Sequence, residues 1–203
     1  MSLFSLYYPT IMHVMKKFLL SLVFVPIFVS SAVFADDYLK EIINKAEHGD
    51  MEAQNYLGMM YEHGEDLPQD YTKAVYWYRK AAEQGHAQSQ VNLGWMYFEG
   101  QGIAQDYKRA AYWYRKAAVQ GEPLSQHDLG IMYYKGLGVD QDYTEALMWL
   151  NLAVSNQFED GFYDIYKETQ AEIDRLEKEM PMEQVSLALK KAREWQEVNQ
   201  KNN

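Results

Sequence analysis

Four of the five histidines, a small carboxylate cluster and two glycine loops are the features of this chain with the residue types to do chemistry. His48, His63, His86 and His127 could ligate a metal or carry protons near neutral pH. They show no H-E-x-x-H spacing, and His86 occupies a slot held by Asp50 and Glu122 at 36 residues on either side. They are therefore expected to be surface histidines, with no metal site. Glu62, Glu65 and Asp66 are close in sequence, but nothing around them suggests a desolvated pocket that would shift their protonation. Gly100-Gln101-Gly102 and Gly136-Leu137-Gly138 resemble part of a dinucleotide-binding loop, yet no strand precedes either one, so they are expected to be turns between helices. Cysteine is absent, which removes disulfides, thiolate metal sites, thiol nucleophiles and thioether lipidation. No catalytic residue and no cofactor follow from these residues.

What must be positioned is therefore a surface. Hydrophobic residues make up 48% of the 203 and aromatics 15%, including 17 Tyr and 5 Trp, too much ring surface for a disordered chain. The formal charge is -10. A chain this acidic disfavours nucleic acid and anionic lipid as partners.

The N-terminal part reads as an address. From Met15 the chain runs MKKFLLSLVFVPIFVSSAVFA and then Asp36-Asp37, giving a basic start, an apolar stretch and small residues before an acidic beginning. This predicts a signal peptide over 15–35, cleaved after Ala35, and a mature chain in the periplasm or secreted. An uncleaved anchor is the alternative, since Phe18 to Ala35 is at the short limit for crossing a bilayer. No stable membrane anchor is expected after cleavage. Residues 1–14 precede a complete signal and are expected to be an upstream extension without a structural role.

The rest repeats with a period of 36 residues. Leu57-Gly58, Leu93-Gly94 and Leu129-Gly130 recur, as do Tyr61, Tyr97 and Tyr133, and Asp70-Tyr71, Asp106-Tyr107 and Asp142-Tyr143. Ala74, Ala110 and Ala146 follow, then Trp77, Trp113 and Trp149. Residues 71–84 and 107–120 are identical at 10 of 14 positions. A fixed period in this range marks a solenoid whose units bury their apolar faces only by stacking.

Each unit reads as two helices, the first from about Asp50 to Tyr61 and the second from about Tyr71 to Gln84. Ala53, Leu57 and Met60, and Ala74, Trp77 and Ala81, carry the apolar spacing. Asp70, Asp106 and Asp142 stand at N-cap positions, and Gly85 and Gly121 just past helix ends. Gly58, Gly94 and Gly130 lie within the first helices, where Gly costs about 1 kcal/mol relative to Ala. Close approach of a neighbouring Trp or Tyr is the expected compensation, and Trp77, Trp113 and Trp149 are expected to hold successive hairpins together.

These motifs resemble the Sel-1-like repeat family, relatives of tetratricopeptide repeats. Its pattern A-x-x-x-L-G-x-M-Y-x-x-G-x-G is met by residues 53–66, 89–102 and 125–138, with Ser89 and Ser125 for Ala and Asp66 for the last Gly. Its second block, D-Y-x-x-A-x-x-W-Y-x-x-A-A, is met by 70–82, 106–118 and 142–154, with Leu150 for Tyr and Val154 for Ala. The resemblance implies an all-α, right-handed α/α solenoid of helical hairpins acting as a protein-interaction scaffold or adaptor, without catalysis. Some cysteine-rich relatives are reported to bind or cleave β-lactams, so an envelope hydrolase or β-lactam-binding protein is the alternative. No S-x-x-K is present to support it. A glycan binder is a third reading.

The expected organisation is a capping helix at 36–48, repeats at 49–84, 85–120 and 121–155, and a C-terminal capping hairpin at 156–203. In that hairpin Phe162, Ile165, Tyr166, Ile173 and Leu176 keep helical spacing, as do Val185, Ala188, Leu189, Ala192 and Trp195. MPMEQVSLALKKAREW looks like the helix that commonly ends proteins of this family, with Met180 in place of a polar N-cap.

First helices of such units line the concave side, so the positions there that vary between units are candidates for recognition. They are Asn55, Met59 and Glu62; Val91, Trp95 and Phe98; and His127, Ile131 and Tyr134. Trp95, Phe98, Ile131 and Tyr134 are large and apolar where Leu93, Met96, Leu129 and Met132 already supply a core. They predict an exposed aromatic groove for an envelope or host protein segment, unless they pack on the next repeat or on the capping hairpin.

Overall fold

A computed structural model of the chain describes residues 37–155 and 163–200. Residues 1–36, 156–162 and 201–203 lie outside them, and so do the expected extension, the signal peptide with its cut after Ala35, and Phe162. By contacts the chain divides into the units Met1–Asn44 and Lys45–Asn203. A helix, α1, occupies residues 37–47. Within the second unit follow α2 (Met51–His63), α3 (Tyr71–Glu83), α4 (Ala87–Glu99), α5 (Tyr107–Ala118), α6 (Pro123–Lys135), α7 (Tyr143–Ser155), α8 (Tyr163–Glu179) and α9 (Met182–Gln200). No strand occurs among the described residues.

The helix ends are where the aspartates and glycines put them. Asp70 and Asp106 side chains accept from the backbone N–H three residues on, at 3.0 Å in both cases, and Asp142 accepts from Thr144 and Glu145. Each such cap is worth about 1 kcal/mol. Gly64, Gly100 and Gly136 end α2, α4 and α6 in the left-handed region. Asp66 stands in the first unit where the others have Gly102 and Gly138, and takes a φ of 58°. A Cβ at Gly102 or Gly138 would run into the backbone of Tyr71 or Tyr107, so these turns are seated on the second helix of the preceding unit.

Packing within each hairpin corrects one expectation. Tyr78 and Tyr114, with Leu150 in the third unit, lie over the helix glycines and are essentially fully buried. A Cβ at Gly58 or Gly94 would come within 2.6 or 2.8 Å of the Tyr78 or Tyr114 ring, and one at Gly130 within 2.8 Å of Leu150. Trp77 and Trp113 are only half-buried, each edge-on to the exposed Tyr76 or Tyr112. Trp149 alone of the three is buried. Positions 74, 78 and 81 form the stripe facing the first helix, and position 77 falls at its edge, about 100° around the axis from position 78.

Between hairpins a polar clamp recurs at the repeat period. The buried Gln54, Gln90 and Gln126 each donate from Nε2 to a carbonyl at the end of the preceding second helix: Ala46, Ala82 and Ala118, at 2.9, 3.1 and 2.9 Å. Gln84 and Gln120 donate in turn to Gln54 and Gln90.

The C-terminal hairpin extends this packing. Ile173, Leu176, Met180, Val185 and Ala188 form a cluster with Ala146, Leu147 and Leu150 of α7. Met180 is therefore core between α8 and α9 and has no capping role. On the other side Trp149 meets Trp195 edge-on at 6.3 Å, and Lys191 Nζ donates to Glu145 at 2.7 Å.

Candidate binding groove

The nine recognition candidates divide into four groups. Ile131 and Tyr134 pack against the cluster made by α7, α8 and α9, and the Arg175 guanidinium of α8 lies 4.6 Å from the Tyr134 ring centre. Phe98 and Met59 pack on the main core, with Phe98 edge-on to Tyr107 at 5.2 Å. Asn55 is tied down inside the face, accepting from Ser89 Oγ at 2.8 Å. The expected continuous aromatic stripe is thus interrupted: in the third unit α8 covers it, because the C-terminal hairpin must bury its own apolar side somewhere.

Glu62, Val91, Trp95 and His127 instead come together around one cavity of about 390 Å³, whose wall also includes Gln88, Asn92, Tyr114, Leu124, Asp128, Ile165 and Glu168. Helix α2 supplies Glu62, α4 and α6 the floor, α5 the end of Tyr114, and α8 the far wall. Val91 is buried, while Trp95 keeps 36% of its surface exposed.

Hydrogen bonds fix the polar groups of this wall. The Tyr78 hydroxyl donates to the Glu62 carboxylate, and burial, with Glu62 beside it, raises the Tyr78 pKa. In the next unit Tyr114 is hydrogen-bonded to Asp128, and burial raises its pKa as well. Burial pushes the Asp128 carboxyl up to about 7, against the lowering effect of that hydrogen bond. His127 is held low by burial, so its imidazole is neutral. Its Nδ1 lies 2.8 Å from Thr169 Oγ1, whose single proton goes to the Ile165 carbonyl at 2.7 Å. Thr169 must then accept from Nδ1–H, which leaves Nε2 as an acceptor.

Sequence reasoning missed Asp128 and the contribution of α8. Asp128 belongs to a series that changes in every unit, Tyr56, Asn92 and Asp128, one position along from the chosen stripe. That variation was the available signal. His86 is the N-cap of α4, with Nδ1 accepting from Ser89 N and Nε2 3.1 Å from Glu52. Among the described residues no group of three His, Cys, Asp or Glu is placed to hold a metal ion, and no helix is long and apolar enough to cross a membrane.

The Sel1 repeat family matches residues 52–86, 87–122 and 123–157. A solved Sel1 repeat protein from Oxalobacter formigenes is similar at 33% identity with a TM-score of 0.59, the match covering 65% of this chain and 51% of that one. A protective antigen present in uropathogenic Escherichia coli strains, displaying an SLR fold, is similar at 33% identity with a TM-score of 0.58, covering 72% of this chain and 34% of that one. This chain thus matches about half the length of the first and a third of the second. No curated protein matches it.

Proposed function

Since the chain belongs to the Sel1 repeat family, whose members generally mediate protein–protein interaction, we propose that it is an exported scaffold or adaptor. It captures a protein segment on the concave face lined by α2, α4 and α6. The observation that carries this reading is Trp95, an indole left 36% exposed at a cavity on that face while the large apolar residues around it are packed away. Aromatic anchors of this kind commonly dominate binding energy. Export is supported by the basic-apolar-small pattern of residues 15–35. The partner then lies in the periplasm or outside the cell. That a structurally similar protein is a protective antigen fits such a location.

Affinity capture from envelope extract with residues 36–203 as bait tests the reading. The Trp95→Ala bait should lose the partner while its Tm stays within about 2 °C, since a partly exposed side chain contributes little to the core. Equal capture by both baits would sink it. Phe98→Ala is the contrasting variant: packed on the core and on Tyr107, it should lower stability by about 2–4 kcal/mol.

A further inference from the structure

The groove's wall is unusual in what it lacks. Three of its side chains are acidic, Glu62, Asp128 and Glu168, and none is Lys or Arg. The remaining polar capacity runs the same way. His127 Nε2 is an acceptor by the tautomer argument above, and the Tyr78 hydroxyl proton is already committed to Glu62. One N–H of the Gln88 amide is committed too, donating to Asn92 Oδ1 at 3.0 Å. A wall richer in acceptors than in donors suits a ligand made of donors, and a cavity bordered by acidic groups wants that ligand cationic. Trp95 adds the flat electron-rich face on which a cation sits best.

We propose that the groove selects its protein partner through an arginine side chain, with the guanidinium stacked on Trp95 and its N–H groups turned to Glu62 and Glu168. Arginine fits better than lysine on three grounds. Its planar head matches an indole face, its five donors match several separated acceptors, and it is less strongly hydrated than an ammonium, so it enters a partly buried cavity more readily. The cavity, at about 390 Å³, is large enough for one such side chain with water around it. This rests on the scaffold reading and narrows it, naming the chemistry by which the partner is recognised.

The test uses the purified 15N-labelled protein and three matched probes: the N-acetyl methylamides of arginine, lysine and citrulline. Citrulline keeps the shape of arginine and removes the charge. The Trp95 indole N–H signal is assigned by its loss in Trp95→Phe. Arginine should shift it saturably in the millimolar range, and citrulline should bind about tenfold more weakly, the size of a partly desolvated cation–π contact with a charged hydrogen bond. Glu168→Gln, on the exposed side of α8, should weaken arginine severalfold with Tm unchanged. Citrulline or lysine binding as well as arginine, an unmoved Trp95 signal, or indifference to Glu168→Gln would each overturn the proposal. The two readings fail separately. If Trp95→Ala abolishes capture of an envelope protein but arginine does not bind, only the arginine inference falls. If arginine binds but no captured protein depends on Trp95, the scaffold reading falls.

Discussion

Asp128 shows how one side chain registers its surroundings. Its carboxyl is pushed up to about 7 by burial in the groove, from an ordinary value near 3.8. Between those two values the folded protein holds a proton that the unfolded chain has released. Its contribution to stability is therefore fully present below pH 4, declines as pH rises through 7 and is flat above, by at most about 1.4 kcal/mol per pH unit. Other carboxylates act in the opposite sense, so the comparison must be with Asp128→Asn. The Tm of the native protein minus that of the variant should fall from pH 4 to pH 7.5 and then level off. A difference independent of pH would show that Asp128 is well solvated.

At the scale of helices, the glutamine clamp decides how one hairpin sits on the last. Gln90, itself buried, donates to the Ala82 carbonyl and accepts from the exposed Gln120. Gln90→Leu keeps the volume and removes both bonds, while the Ala82 carbonyl still accepts from Gly85 N–H and Gln120 still reaches the Lys116 carbonyl, so the cost is that of the two bonds alone, about 1–2 kcal/mol. In a chain of this size that lowers Tm by several degrees in a thermal melt, and an unchanged melt would assign the clamp no role. Helix ends were legible in advance because Asp70, Asp106 and Asp142 state one local rule three times. The identity of the ring over Gly58 was not, because Trp recurs in all three units, at 77, 113 and 149, while Tyr78 recurs only as Tyr114, and only the direction of the helix axis separates the two positions. The lining of the candidate groove was half legible. Trp95 stood out as a large apolar side chain beyond the needs of the core, but α8, which covers Ile131 and Tyr134, has no copy in the repeat and left no periodic trace.

For the Lys45–Asn203 unit as a whole, α8 and α9 carry two duties. They bury Leu147 and Leu150 of the last hairpin and close one side of the groove with Ile165 and Glu168. A solenoid unit with one naked face does not sustain itself. A chain ending at residue 155 should lose its cooperative melt and bind a dye for exposed apolar surface, and a truncated chain melting like the intact one would refute this dependence.

The clamp has a genetic corollary. Its two halves, Gln54 with Gln84 and Gln90 with Gln120, stand at the same offset in successive units. A tandem duplication of 36 codons therefore brings its own fastening and splices into the array without any new fit. The groove does not copy in this way, since α8 comes from outside the period. Array length and the lining of the groove can thus drift independently, the first by recombination and the second by point substitution around Trp95.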